Sequence, residues 1–128
     1  MDLRELVRQY WGDIHDQQWK RLARYFHEQA VIRWHNTNEQ FTADEFIRAN
    51  ETYPGDWLID IERLESVGEL AISVVRVYQK GSPLSFHATS FFEFRGGRIA
   101  ALDEYWGGDE KPPQWRLEQH IGRPLIKE

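Results

Sequence analysis

The 128 residues predict an α+β domain, with helices first and an antiparallel sheet afterwards. Two observations carry this. In the first half most apolar residues recur three or four positions apart, the spacing of one helical face. From residue 57 onward the period becomes two, and Gly68, the KGSP of residues 80–83 and Gly96 with Gly97 divide that half into strands at hairpin spacing.

The elements follow in order. Leu3, Leu6, Val7, Tyr10, Trp11 and Ile14 define one face of a helix over residues 3–14. Asp2 and Glu5 give it a start close to a capping box. A second helix follows Asp16, with Trp19, Leu22, Ala23 and Phe26 on its face, and residues 27–30 read as a turn. VIRWH (31–35) reads as a strand, and the polar NTNEQ places a turn around Asn36 and Asn38. Thr42 and Glu45 form a second capping box, with Phe41 and Phe46 where a hydrophobic staple would sit. That third helix stops before Pro54 and Gly55. Strands are predicted over 57–66, 69–80, 84–95 and 98–106. The stretch 109–128 is a tail, irregular or briefly helical, closing a single domain over 1–128 with no repeat or linker.

Both faces of the two middle strands are too apolar to meet water. In 69–80 one face carries Ala71, Ser73, Val75, Val77 and Gln79, the other Leu70, Ile72, Val74, Arg76 and Tyr78; in 84–95 one carries Phe86, Ala88, Ser90, Phe92 and Phe94, the other His87, Thr89, Phe91 and Glu93. Three short helices cover one face. A second copy of the chain is the expected cover for the other, so a homodimer through the sheet is predicted.

Composition excludes several classes. Net charge is −5 with no basic stripe, which gives nucleic acid no footprint. The absence of cysteine removes disulfides, thiolate nucleophiles and Cys-bound metals. No apolar run approaches the roughly 20 residues of a membrane span, and MDLRELVRQYW is not a signal peptide, so a cytoplasmic protein is expected. No phosphate-binding glycine loop, nucleophile elbow or metal-ligand spacing occurs, so neither cofactor nor metal is expected. Six tryptophans, five tyrosines and seven phenylalanines suit a lined cavity or a solid core equally well.

YFHEQAVIRWHN (25–36) and GGRIAALDEYWGG (96–108) resemble the end of the second helix with the first strand, and the last hairpin with the terminal strand, of the SnoaL-like branch of the nuclear transport factor 2-like superfamily. The resemblance covers nearly the whole chain. It implies a cone: three N-terminal helices packed in the concave face of a curved, mostly antiparallel sheet, with a pocket between them. Members include isomerases, cyclases, dehydratases, epoxide hydrolases and non-catalytic binding or scaffold proteins, so the fold leaves the activity open. The resemblance to ketosteroid isomerase keeps that enzyme's oxyanion-hole tyrosine, at Tyr10. It puts Trp34 where the general-base aspartate would stand and Ser90 where the hydrogen-bond-donating aspartate would stand. Isomerisation by that mechanism is thereby excluded.

The same alignment turns Ile32, Trp34, Ser73, Val75, Ser90, Glu104 and Trp106 inward, and Asp103 and Tyr105 outward. The candidate site is then Glu104 as acid or base, Tyr10 as donor, and Trp34, Asn36, Asn50, Trp57, Ser73, Val75, Ser90 and Trp106 as a pocket for a small, largely apolar molecule. For Glu104 the alternative is a hydrated carboxylate, or one satisfied by Tyr10 or Asn50. Tyr10 is alternatively a core tyrosine, and Asn50 a tie between helix and sheet. His35 joins the catalytic candidates if a bulge in the first strand reverses its simple alternation. His15 and His27, near helix ends, read as solvated. Cofactor-independent acid/base chemistry is the expected activity; the alternative is a non-catalytic binding or dimeric scaffold domain whose tryptophans fill the cavity.

Overall fold

The computed structural model describes residues 2–125. Helix α1 (Leu3–His15) is followed by a single turn of helix, α2 (Trp19–Leu22), and a 3₁₀ turn, Ala23–Tyr25. Strand β1 (Phe26–Trp34), a short β2 (Glu39–Phe41) and α3 (Ala43–Glu51) complete the first half. The second half is the predicted meander of β3 (Trp57–Val67), β4 (Leu70–Gln79), β5 (Ser85–Arg95) and β6 (Arg98–Gly108), then a short α4 (Gln114–Glu118). One six-stranded sheet results, in the order β2-β1-β6-β5-β4-β3. Only β1 and β6 run parallel; every other pairing is antiparallel.

Local chemistry sets the ends. The Asp2 carboxylate accepts from the Arg4 N–H and opens α1. The Thr42 hydroxyl accepts from the Glu45 N–H at 3.2 Å, while Glu45 Oε1 accepts from the Thr42 N–H at 2.9 Å, so both halves of the capping box form. α3 ends at Glu51, short of Pro54.

The core lies between α1 and the inner sheet face. Val7, Tyr10 and Trp11 meet Ala71, Val75, Ala88 and Phe92, all buried. Small residues on the sheet leave room for large rings on the helix, and each buried large apolar side chain contributes about 1.5–3 kcal/mol.

Three expectations are corrected. The second helix stops at Leu22, and Phe26 is the first residue of β1, though still buried. The turn expected at residues 27–30 lies inside β1, where pairing jumps from Phe26↔Ile99 to Val31↔Ala101. His27, Glu28 and Gln29 lack alternation because they sit in this bulge, which bends the strand. The polar stretch after residue 35 contains β2, too short to show a period; Asn38 closes its turn in the left-handed region at φ 56°.

Candidate functional site

Four side chains at the same level of four neighbouring strands organise the inner face. Trp34 pairs with Glu104 across β1 and β6, Glu104 with Ser90 across β6 and β5, and Ser90 with Ser73 across β5 and β4. Residues in register share a face, so all four point toward the helices. The Trp34 indole N–H donates to Glu104 Oε1 at 3.0 Å, and the Ser90 hydroxyl donates to Oε2 at 2.5 Å. The Trp11 indole N–H donates to Ser73 Oγ at 3.0 Å, fixing α1 to the end of this row.

Glu104 is 1% exposed. No lysine, arginine or histidine pairs with it among the described residues. Burial raises its pKa, and the bonds from Ser90 and Trp34 offset only part of that rise. It lines a cavity of about 360 Å³ together with Asn36 and Trp106. Trp34, Trp57 and Trp106 stand as walls of this space and leave it unplugged.

Of the predicted site residues, Glu104, Trp34, Asn36, Asn50, Trp57 and Trp106 line the cavity together. Asn36, two residues past β1, is clamped to β6: its Nδ2 donates to the Trp106 carbonyl and its Oδ1 accepts from the Trp106 N–H, each at 2.6 Å. Asn50 Nδ2 donates to the Phe46 carbonyl within α3, a local tie with no bond to the sheet. The Trp57 indole donates to the Pro54 carbonyl and anchors the loop after α3.

The others lie elsewhere. Ser73, Val75 and Ser90 are fully buried beneath the lining and do not face the space. Tyr10 is also fully buried, ringed edge-on by Trp11, Tyr25, Phe26 and Phe92. Its hydroxyl has no hydrogen-bond partner among the described residues, and burial together with the charge of Glu104 raises its pKa well above the ordinary value. It is a core tyrosine closed off from the cavity. Neither Tyr10 nor Asn50 satisfies Glu104; Trp34 and Ser90 do.

His35 is corrected. Its Nε2 meets Asp103 Oδ1 at 2.8 Å and its ring stacks on Tyr105 with centroids 4.3 Å apart, on the outer face. The bulge that would have turned it inward lies upstream; from Val31 to Trp34 the register is unbroken. His15 is corrected as well. Its Nδ1 accepts from the Ile59 N–H at 2.9 Å, tying the end of α1 to β3.

Sequence reasoning missed Trp11, Trp19 and Tyr53, which also line the cavity. Helical periodicity placed both tryptophans on buried stripes, and a stripe does not distinguish core from cavity wall. On the outer face His87 bridges two carboxylates, with Nε2 at 2.9 Å from Glu62 and Nδ1 at 2.5 Å from Asp109. Among the described residues no three His, Asp or Glu side chains converge as metal ligands. No helix there is long and apolar enough to cross a membrane.

Residues 7–102 match the profile of the SnoaL-like domain. The chain belongs to the SnoaL-like domain family. A candidate ketosteroid isomerase from Kribbella flavida superposes with a TM-score of 0.81 at 25% identity, covering 98% of this chain and 90% of that one. A nuclear transport factor 2-like protein of unknown function from Burkholderia xenovorans gives 0.79 at 17% identity, covering 97% and 94%. A candidate SnoaL-like polyketide cyclase from Shewanella putrefaciens gives 0.70 at 15% identity, covering 83% and 90%. No curated protein matches the sequence. The SnoaL-like fold accounts for the helices on the inner sheet face. Trp34 and Ser90, the two positions that the isomerase resemblance equates with carboxyls, are here the donors to a carboxylate on the strand between them.

Proposed function

We propose that this SnoaL-like domain binds a small, largely apolar organic molecule in the cavity, and that Glu104 moves a proton on it without a cofactor. The reaction class is isomerisation, cyclisation, dehydration or hydration. One observation carries the reading: a desolvated carboxyl with raised pKa lies at an open cavity, held by two donors and no cation. Such a group exchanges protons nearer neutral pH than an exposed glutamate does. Trp34, Trp57 and Trp106 hold the apolar body, and Asn36 and Asn50 supply polar contact from the lining.

A second reading has its own support. The withdrawal of Tyr10 removes the group expected to polarise a substrate carbonyl, which favours binding without turnover. Native mass spectrometry of protein purified from its host identifies a retained molecule; turnover is then compared in the wild type and Glu104→Gln. Loss of about 10²–10⁴-fold with binding retained supports the acid/base role. Unchanged turnover removes Glu104 from the chemistry, and binding with no turnover of the retained compound or its analogues selects the second reading.

We also propose a homodimer through the outer sheet face. Ile72, Val74 and Phe91 are only half-buried there and Tyr105 is 46% exposed, an apolar surface flanked by the His35 and His87 networks.

A further inference from the structure

We infer that the ligand of the Glu104 cavity carries a cationic nitrogen: an organic ammonium ion with a compact apolar body. The inference deepens the proposed binding function and rests on the cavity being a ligand site.

Charge supplies the first argument. Among the described residues two carboxylates, Glu104 and Glu51, line the cavity, and no lysine, arginine or histidine does. Arg33 pairs with Asp103 on the outer face, and Arg21 with Asp13. Glu104 therefore receives only the neutral donors Trp34 and Ser90. An uncharged ligand filling the space would return no opposite charge to this already desolvated carboxylate. An anionic ligand would add repulsion. A cation supplies the missing partner.

The walls supply the second argument. Indoles of Trp11, Trp19, Trp34, Trp57 and Trp106, with the Tyr53 ring, surround the same space. Trp34 and Trp106 meet at 76° with centroids 6.5 Å apart, forming a corner beside Glu104. Indole faces attract ammonium groups, most strongly where water is excluded, and a quaternary or tertiary ammonium is weakly hydrated enough to enter. A solely apolar ligand requires aromatic bulk but has no use for the carboxylate. An ammonium uses both features at once.

The test uses pairs of equal shape and different charge, read by tryptophan fluorescence and calorimetry on the full chain at pH 8. Choline is compared with 3,3-dimethylbutan-1-ol, and benzyltrimethylammonium with neopentylbenzene. Neutral N-phenyl-1-naphthylamine reports occupancy of the cavity independently of charge. The cation of each pair is expected to bind about tenfold tighter or more than its neutral partner. Glu104→Gln should reduce that preference to within about twofold, and Trp57→Leu should weaken the cation while sparing the neutral partner. Cation affinity should also fall on acidification, because protonation of Glu104 removes its charge. Equal or tighter binding of the neutral partners overturns this inference and leaves the cavity a ligand site. If the naphthylamine and all four probes fail to bind, the binding reading falls with it.

Discussion

The Trp34 indole N–H reaches Glu104 Oε1 at 3.0 Å across the parallel pairing of β1 and β6. This contact makes the lining of the cavity polar at one point. A strand that returns beside β1 from the far end of the chain puts residue 104 level with residue 34, and both side chains turn toward the helices. The carboxyl is thereby held by groups that cannot neutralise it.

The first consequence concerns stability and pH. The folded-state pKa of Glu104 is raised, chiefly by burial. Its contribution is then fullest below the unfolded value and declines as pH rises through the folded one. Glutamine keeps both bonds, its oxygen accepting from Trp34 and its amide donating to a rotated Ser90 hydroxyl. Relative to wild type, Glu104→Gln should gain stability between pH 4 and pH 8, as urea melts across that range would record. Glu104→Ala should cost about 2–4 kcal/mol, by orphaning two donors and leaving a void. A wild-type-to-Gln difference that does not change with pH contradicts the assignment.

A second prediction concerns the anchor of α1. Ser73→Ala strands the Trp11 N–H in the core and should cost about 1–3 kcal/mol, although the serine hydroxyl is small. Trp11→Phe removes the same bond from the other side. A double-mutant cycle by denaturant unfolding should therefore show coupling of about 0.5–1.5 kcal/mol; strict additivity shows that the two residues do not interact.

The outer face yields a pH signature of its own. The His87 pKa is raised, mainly by its bond to Asp109; burial opposes this, and Glu62 adds to it. Its stabilising contribution is complete below pH 6.5 and disappears as pH climbs through the raised value. NMR titration should place the His87 imidazole above 6.5, with Asp109→Asn bringing it down. A wild-type value at or below 6.5 contradicts the network.

Association is the fourth prediction. Wild type should elute at twice the chain mass by light scattering, and Phe91→Arg or Tyr105→Arg should yield monomers with unchanged circular dichroism. A monomeric wild type at micromolar concentration removes the proposed dimer.

How far the residues announced this arrangement depended on period. Strict alternation in β4 and β5 put Ala71 with Ser73 and Ala88 with Ser90 on shared faces, the family resemblance turned those faces toward the helices, and the Thr42 and Glu45 spacing located the start of α3. A T-x-x-E pattern and a two-residue repeat are local properties that survive folding. The bulge in β1 and the strand β2 were not legible, because both arise from pairing with residues distant in sequence. Tyr10 shows the remaining gap. Helical spacing put it on the buried face of α1, yet only the rings of Tyr25, Phe26 and Phe92 decide that it lies in the core and not at the cavity.

The most direct test of this account is a carbon-13 NMR titration of the Glu104 side-chain carboxyl, assigned by its loss in Glu104→Gln. Its midpoint should lie above the ordinary 4.5 and fall when benzyltrimethylammonium is added, since a cation favours the ionised form. A midpoint at or below 4.5 in the free protein contradicts a desolvated carboxyl at the cavity.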